Sequence, residues 1–157
     1  MSQNTEVKPI PEGYHTITPY LTVKGAAEAL AFYHEAFGAE ELLRLDGPDD
    51  KLMHAEMRLG DSAFMLADEF EEWGNLSPAS LGGSGTSMMV YVEDVDAVFE
   101  RAVKAGAKVV MTVQDQFYGD RTGMVEDPFG HRWSIATHIE DVTPDELSRR
   151  AREFMGG

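Results

Sequence analysis

The sequence predicts an α+β fold in which two βαβββ modules follow one another along the chain. Three observations lead to this prediction. Each half of the 157-residue chain shows the order strand, helix and three strands, the two halves align over matching glycines, and a long segment rich in glycine and serine connects them. The predicted parts are an N-terminal arm, a first module, a linker, a second module and a C-terminal helix, at residues 1–13, 14–68, 69–85, 86–140 and 141–157.

In the first half, TITPYLTV (16–23) is rich in β-branched and aromatic residues and predicts a strand. The segment GAAEALAFYHEAFG then predicts a helix, and Gly38 ends it as a C′ glycine. The apolar residues at helical spacing are Ala26, Ala29, Leu30, Tyr33 and Phe37. Three further strands are predicted by EELLRL, KLMHAEMRLG and SAFMLAD, with the turn segments GPDD and GD between them.

The second half repeats this order. A strand is predicted by TSMMVYV (86–92), and a helix by DVDAVFERAVKAGA, whose apolar face is formed by Val95, Val98, Phe99 and Ala102. Three more strands are predicted by KVVMTVQD, the segment around GDRTGMVED, and HRWSIATH, with a tight DPFG turn before the last. Sliding one half over the other, to within about two residues, superimposes three pairs: Val23 on Val92, Gly38 on Gly106, and Gly60 on Gly130.

The sequence predicts a flexible linker between the two modules and a helix after the second module. The glycine and serine content of residues 69–85 predicts a flexible connector, in which Trp73 anchors the loop or, less favoured, covers a pocket. After the second module, TPDELSRRAREFM predicts a helix with a capping box formed by Thr143 and Glu146 and with proline at its first position.

Composition limits the function. The formal net charge of −15 at pH 7 argues against nucleic acid and membrane surfaces as partners and favours a cationic ligand. The chain has no cysteine, so thiolate chemistry and disulfides are excluded. No apolar run approaches the roughly 20 residues that cross a bilayer, and the first residues lack the apolar core of a signal peptide. We therefore expect a cytoplasmic protein.

The paired βαβββ units, together with DPFGHRW at the last turn, resemble the vicinal-oxygen-chelate superfamily of glyoxalase I, bleomycin-resistance proteins and extradiol dioxygenases. More narrowly, ITPYLTV, MHAEMRLGDSAFMLAD and GDRTGMVEDPFGHRWSIATHIEDVTPDEL are similar to its PhnB-like branch. The resemblance implies a curved mixed sheet around a cavity between the modules, a ligand in that cavity, and a homodimer.

The resemblance also implies where a metal would bind. Metal-using members place His, Gln or Glu ligands on the first and last strands of each module. The corresponding positions here are Thr18, Ser87, Ser134 and either Phe64 or Met65, depending on register. Neutral hydroxyl groups bind divalent ions weakly without carboxylate or imidazole beside them. We therefore expect no cofactor at the usual positions and no glyoxalase I reaction.

An alternative metal site is offered by His54 and Glu56, which lie two residues apart on a predicted strand and so project from the same face. They can form a ligand pair, or a base with its orienting carboxylate. His138 either supplies a third ligand or caps the end of its strand. A divalent metal ion bound by His54 and Glu56, with or without His138 as a third ligand, is therefore the alternative to a metal-free site.

On the last strand, alternation puts Arg132, Ser134, Ala136 and His138 on one face and Trp133, Ile135 and Thr137 on the other. By the resemblance, the first face lines the cavity and Trp133 packs beneath the helices. His131 is interpreted as a turn-stabilising residue. The segment is thus predicted to complete a sheet and to lend polar groups to a pocket.

The predicted pocket is aromatic and methionine-rich. Tyr20 lies two residues from Thr18, and Met89 and Tyr91 lie two and four residues from Ser87, so strand alternation puts them on the same faces. Their side chains suit an organic ligand, although Tyr91 is equally compatible with a core role. Arg121 either binds an anionic group or pairs with acidic residues, and the second interpretation is favoured. The predicted ligand-binding residues are Thr18, Tyr20, Ser87, Met89, Tyr91, Arg132, Ser134 and His138.

Three functions follow from these residues. The favoured one is binding or sequestering a small organic ligand without metal at the usual positions. The second is a metal-dependent lyase or dioxygenase that uses the non-standard set. The third is a structural or regulatory homodimer. The sequence leaves open whether the protein is an enzyme.

Overall fold

A computed structural model describes residues 6–156. These residues divide into two compact units. The first contains the residues up to His34 together with Gly38–Ser77, and the second contains Glu35–Phe37 and the residues from Pro78 onward. Each unit is built around one four-stranded mixed sheet, so the predicted α+β class is confirmed. Residues 1–5 of the predicted arm lie outside the described part.

The first unit has the predicted βαβββ order. Its elements are β1 (Tyr20–Val23), α1 (Ala26–Phe37, of which the last three residues are assigned to the second unit), β2 (Glu40–Asp46), β3 (Leu52–Leu59) and β4 (Ser62–Asp68). The strand order in the sheet is β1-β4-β3-β2, and only β1 and β4 are parallel. Strand β1 is shorter than the predicted 16–23 because Pro19 has no N–H for the ladder, although its carbonyl accepts a hydrogen bond from Met65.

Helix α1 follows the predicted pattern. Ala26, Ala29, Leu30 and Tyr33 are buried, and the Tyr33 ring contacts Phe64 of β4 edge-on at 5.8 Å between centroids. The helix ends at Gly38, whose φ of 75° is the left-handed conformation that glycine adopts without steric cost. The periodicity of the sequence therefore identified the packed face correctly.

The linker is more ordered than its glycine and serine content predicts. It contains a 3-10 turn at Glu71–Trp73 and the short helix α2 (Pro78–Leu81). The Glu69 carboxylate accepts hydrogen bonds from the N–H and the hydroxyl of the buried Ser77, at 2.6 and 2.9 Å. Trp73 packs on Phe70 with 4.5 Å between ring centroids, in keeping with the anchoring role.

The second unit repeats the topology. Its elements are β5 (Ser87–Tyr91), α3 (Val95–Ala105), β6 (Lys108–Asp115), β7 (Asp120–Glu126), β8 (Arg132–His138) and α4 (Pro144–Phe154). Its strand order is β5-β8-β7-β6, and β5 and β8 are the parallel pair. Met89 lies beside Ser134 just as Tyr20 lies beside Met65, so the register of the two sheets confirms the duplication.

Two helices complete the second unit. Phe99 of α3 lies against Gly123 of β7, where a Cβ atom would meet the Phe99 ring at 2.8 Å, so this position has no room for a larger residue. Helix α4 begins as predicted, with Thr143 Oγ1 accepting a hydrogen bond from the Glu146 N–H at 3.3 Å. No helix within residues 6–156 has the length and apolar character needed to cross a membrane.

Candidate functional site

Each sheet has two unlike faces. One face, which we call the helix face, is buried, and in the first sheet it carries Leu21, Val23, Phe64 and Leu66. Phe64 contacts Tyr33 of α1. The opposite face, which we call the open face, carries Tyr20, His54, Glu56 and Met65 in the first sheet, by strand alternation and register. Met65 rather than Phe64 is therefore the open-face residue of β4, which settles the register left open by the sequence.

Four polar side chains form a continuous hydrogen-bonded series on the open face of the first sheet. The hydroxyl of Tyr14 donates to Glu56 Oε1. Glu56 Oε2 lies 2.7 Å from His54 Nε2, and His54 Nδ1 lies 2.7 Å from the Tyr20 hydroxyl. His54 and Glu56 are each partly buried, with about a fifth of their side-chain surface exposed, at 21% and 18%. The predicted His54 and Glu56 pair is therefore real, and it is flanked by a tyrosine on each side.

Burial and hydrogen bonding shift the proton affinities in this series. Burial, followed by the hydrogen bond to Glu56, raises the pKa of Tyr14 to about 12. Burial and the Glu56 charge also raise the pKa of Tyr20. The hydrogen bond from Tyr14, assisted by that with His54, lowers the pKa of Glu56. At neutral pH the series therefore contains two phenols and one carboxylate.

The positions that the resemblance assigned to metal ligands carry hydroxyl and thioether groups, namely those of Thr18, Ser87, Ser134 and Met65. Ser87 lies beside Arg132 and Ser134 lies beside Met89, while Thr18 precedes β1 and donates its hydroxyl proton to the His15 carbonyl. Hydroxyl and thioether groups do not fit a divalent metal site. Among residues 6–156 no three His, Asp or Glu side chains are grouped so that they could hold a metal ion.

A second polar cluster lies on the open face of the second sheet. The Tyr91 hydroxyl donates to Asp120 Oδ2 at 2.8 Å, and Asp120 Oδ1 lies 2.8 Å from His138 Nδ1. His138 Nε2 is 2.7 Å from Asp141. His138 thus belongs to the second unit with two aspartates, and both of its ring nitrogens are hydrogen-bonded.

The pKa of His138 is expected to lie above the ordinary value near 6.5, since hydrogen bonds to Asp120 and then Asp141 favour the imidazolium form. Because folding raises this pKa, the stabilisation is complete below the unfolded-state value and is lost as pH rises through the folded-state value. An NMR titration of the His138 ring checks this. In Asp120→Asn the pKa should fall, whereas Asp115→Asn, whose carboxylate binds Arg121, should leave it unchanged. A wild-type pKa at or below 6.5 would contradict the interpretation.

The DPFG turn is organised by one carboxylate. Asp127 Oδ1 accepts hydrogen bonds from the N–H groups of Phe129 and His131, each at 2.9 Å, and Oδ2 accepts from Trp133 Nε1 at 2.9 Å. Trp133 is 2% exposed and lies on the helix face, as predicted. The backbone of His131 takes part in this turn, in keeping with its predicted structural role. The segment therefore completes the sheet.

The arginines near the predicted pocket are engaged by acids. Arg121 binds both carboxylate oxygens of Asp96, each at 2.9 Å, and also Asp115, so the favoured ion-pair interpretation is confirmed. Arg132 lies 3.3 Å from Glu126 on the neighbouring strand. Neither guanidinium is presented as a free anion site.

Sequence reasoning missed Tyr14 and Asp120. Tyr14 lies outside any strand or helix and carries no periodic signal. Asp120 is the first residue of β7 and directly faces His138 across the sheet, which becomes visible only once the strands are paired. Two surface cavities of about 420 and 380 Å³ in the first unit are lined by residues of α1 and its neighbours and contain none of the open-face tyrosines.

The two βαβββ units and their open-faced sheets define a protein of the glyoxalase fold. The model of the Glyoxalase/Bleomycin resistance protein/Dioxygenase superfamily matches residues 13–135, and the chain belongs to this superfamily.

Three similar proteins illustrate the relationship. Rv0887c of Mycobacterium tuberculosis is 45% identical over 134 residues, which cover 83% of this chain and 79% of that protein. The crystal structure of TioX from Micromonospora sp. ML1 matches with a TM-score of 0.62 and 29% identity over 80% of this chain and 99% of the other. A PhnB protein from Bacillus cereus shares the fold, with a TM-score of 0.60 and 21% identity over 78% and 99% of the two chains.

Proposed function

We propose that the protein binds or sequesters a small organic molecule of cationic character on the open faces of its sheets, without a metal ion at the superfamily's usual positions. The observation that carries this proposal is the exposure of three large side chains. Tyr20, Met89 and Tyr91 are 53%, 50% and 61% exposed. Such side chains offer wide apolar contact area with polar tips, which suits an organic ligand.

Charge supports a cationic ligand. Glu56 and Asp120 place a carboxylate beside a tyrosine hydroxyl on each open face. The ring face of an exposed tyrosine attracts a cation, and the overall charge of −15 draws cations toward the protein. Bleomycin, which gives part of the superfamily its name and is positively charged, is therefore a suitable first probe.

The experiment is thermal unfolding with and without metal-free bleomycin, because a ligand that binds only the folded state raises the melting temperature by mass action. We expect an increase for the wild type and none with the aromatic anion 4-methylbenzenesulfonate. Tyr91→Phe, which keeps the ring, should retain most of the bleomycin affinity, whereas Tyr91→Ala should weaken binding and lower the ligand-free melting temperature by only about 2–4 °C, the effect of losing its hydrogen bond to Asp120. Unchanged affinity in Tyr91→Ala, with a loss of stability well above that of one hydrogen bond, would instead assign Tyr91 to the core.

A metal-dependent lyase or dioxygenase is the second candidate, and the pairing of His54 with Glu56 favours it. Two features oppose it. Both nitrogens of His54 are hydrogen-bonded, and the described residues offer these two side chains no third His, Asp or Glu ligand. Stoichiometric divalent metal would support the enzyme, whereas a structural or regulatory homodimer would neither retain metal nor gain stability with bleomycin.

A further inference from the structure

The charge of Glu56 fixes the direction of two hydrogen bonds on the open face of the first sheet. An ionised carboxylate only accepts hydrogen bonds, and Glu56 accepts one from Tyr14 on its first oxygen. The partner of its second oxygen, His54 Nε2 at 2.7 Å, must therefore carry a hydrogen. With the ring's single hydrogen on Nε2, Nδ1 accepts a hydrogen bond, and the Tyr20 hydroxyl, 2.7 Å away, is its donor.

This direction determines what Tyr20 offers to a ligand. Its only proton is engaged by His54, so the exposed side of the phenol oxygen presents lone pairs and acts as an acceptor. The Tyr20 side chain is more than half exposed, at 53%, and Met65 on the adjacent strand adds an apolar contact. The Glu56 carboxylate contributes negative potential to the same face.

We propose that His54 holds its single ring hydrogen on Nε2, and that Tyr20, His54 and Glu56 form a subsite for a protonated amine, whose N–H donates to the Tyr20 oxygen while the Glu56 carboxylate favours its positive charge. This inference rests on the proposed binding function and deepens it by naming the ligand group. Primary, secondary and tertiary ammonium groups have the required hydrogen. A quaternary ammonium group has the same charge but no N–H to donate.

The experiment compares benzyldimethylammonium with benzyltrimethylammonium by NMR titration at neutral pH. Both probes have a benzyl group and one positive charge, and only the first has an N–H. We expect the wild type to bind the first about tenfold more tightly, the effect of one hydrogen bond to a charged donor. Tyr20→Phe keeps the ring and removes the acceptor, so it should abolish the preference while leaving the affinity for the quaternary probe similar. Tyr118→Phe, which removes a phenol hydroxyl from the second unit, should keep the preference.

Several results would overturn the subsite: equal affinities in the wild type, a preference that survives in Tyr20→Phe, or no binding of either probe. If bleomycin still stabilised the wild type and bound Tyr91→Ala more weakly, the proposed binding function would stand and only the amine subsite would fail.

The hydrogen-bond direction can be tested without any ligand. Nitrogen-15 NMR of the His54 ring should show a hydrogen on Nε2 and none on Nδ1, and Tyr20→Phe should alter the Nδ1 shift because its donor is lost. A hydrogen on Nδ1 in the wild type would free the Tyr20 proton and would overturn the inference.

Discussion

Replacing Asp127 with alanine is expected to lower the free energy of unfolding by about 3 kcal/mol, because three donors around the DPFG turn lose their acceptor. Two of these donors are the N–H groups of Phe129 and His131, and the third is Nε1 of the buried Trp133. A buried donor left without a partner loses its hydration without compensation. The loss should therefore be well above that of an ordinary surface substitution.

Urea denaturation followed by Trp fluorescence measures this effect. Asp127→Asn provides a graded comparison, because its amide oxygen can still accept from the backbone N–H groups, but its NH2 group cannot accept from Trp133. It should fall between the wild type and Asp127→Ala. The exposed Asp46→Ala is a matched control and should change stability by less than about 0.5 kcal/mol. If Asp127→Ala and Asp46→Ala unfolded at the same urea concentration, the assigned role of the carboxylate would be wrong.

Asp68→Ala is expected to destabilise the first unit by a similar amount, about 3 kcal/mol. The buried Asp68 carboxylate accepts hydrogen bonds from the N–H groups of Gly25 and Ala26 at 2.8 and 3.0 Å, and from that of Leu52 at 2.7 Å. It therefore satisfies donors at the start of α1, where the helix dipole also favours a negative charge, and joins β4 to the start of β3.

Hydrogen exchange localises this second effect. In Asp68→Ala the amides of Ala26 and Leu52 should exchange faster, while those of α3 should be unaffected because Thr137 performs the equivalent capping there. Thr137 Oγ1 accepts from the Val95 N–H at 2.9 Å and donates to the Val92 carbonyl at 2.8 Å. Unchanged protection of Ala26 and Leu52 would show that solvent replaces the carboxylate without loss.

The sequence predicted the fold well because periodicity and glycine positions are local properties. The packed face of α1 and its end at Gly38 are both visible in the sequence and were found as expected. The late start of strand β1, at Tyr20 instead of residue 16, also has a local cause, Pro19, which the predicted strand had included. The ordered start of the linker has a less visible cause, the Glu69 carboxylate that binds Ser77.

The sequence predicted which side chains lie on the open faces, but not which residues they form hydrogen bonds with. Strand alternation places Tyr20, Met89, Tyr91 and His138 on the open faces, and this needs no tertiary information. Their hydrogen-bond partners depend on register between distant strands. Asp120 meets His138 only through the β7–β8 pairing, and Tyr14 reaches Glu56 from a segment without regular structure. Long-range register was the missing information.

The central claim is that this superfamily member binds an organic ligand without metal, and divalent metal content tests it most directly. Elemental analysis should be done on protein purified without a metal-affinity tag and on a His54→Ala, Glu56→Ala double variant. We predict well under one equivalent of divalent metal per chain in the wild type and the same content in the variant. Near-stoichiometric metal in the wild type that disappears in the variant would contradict the claim and would direct attention to lyase or dioxygenase substrates.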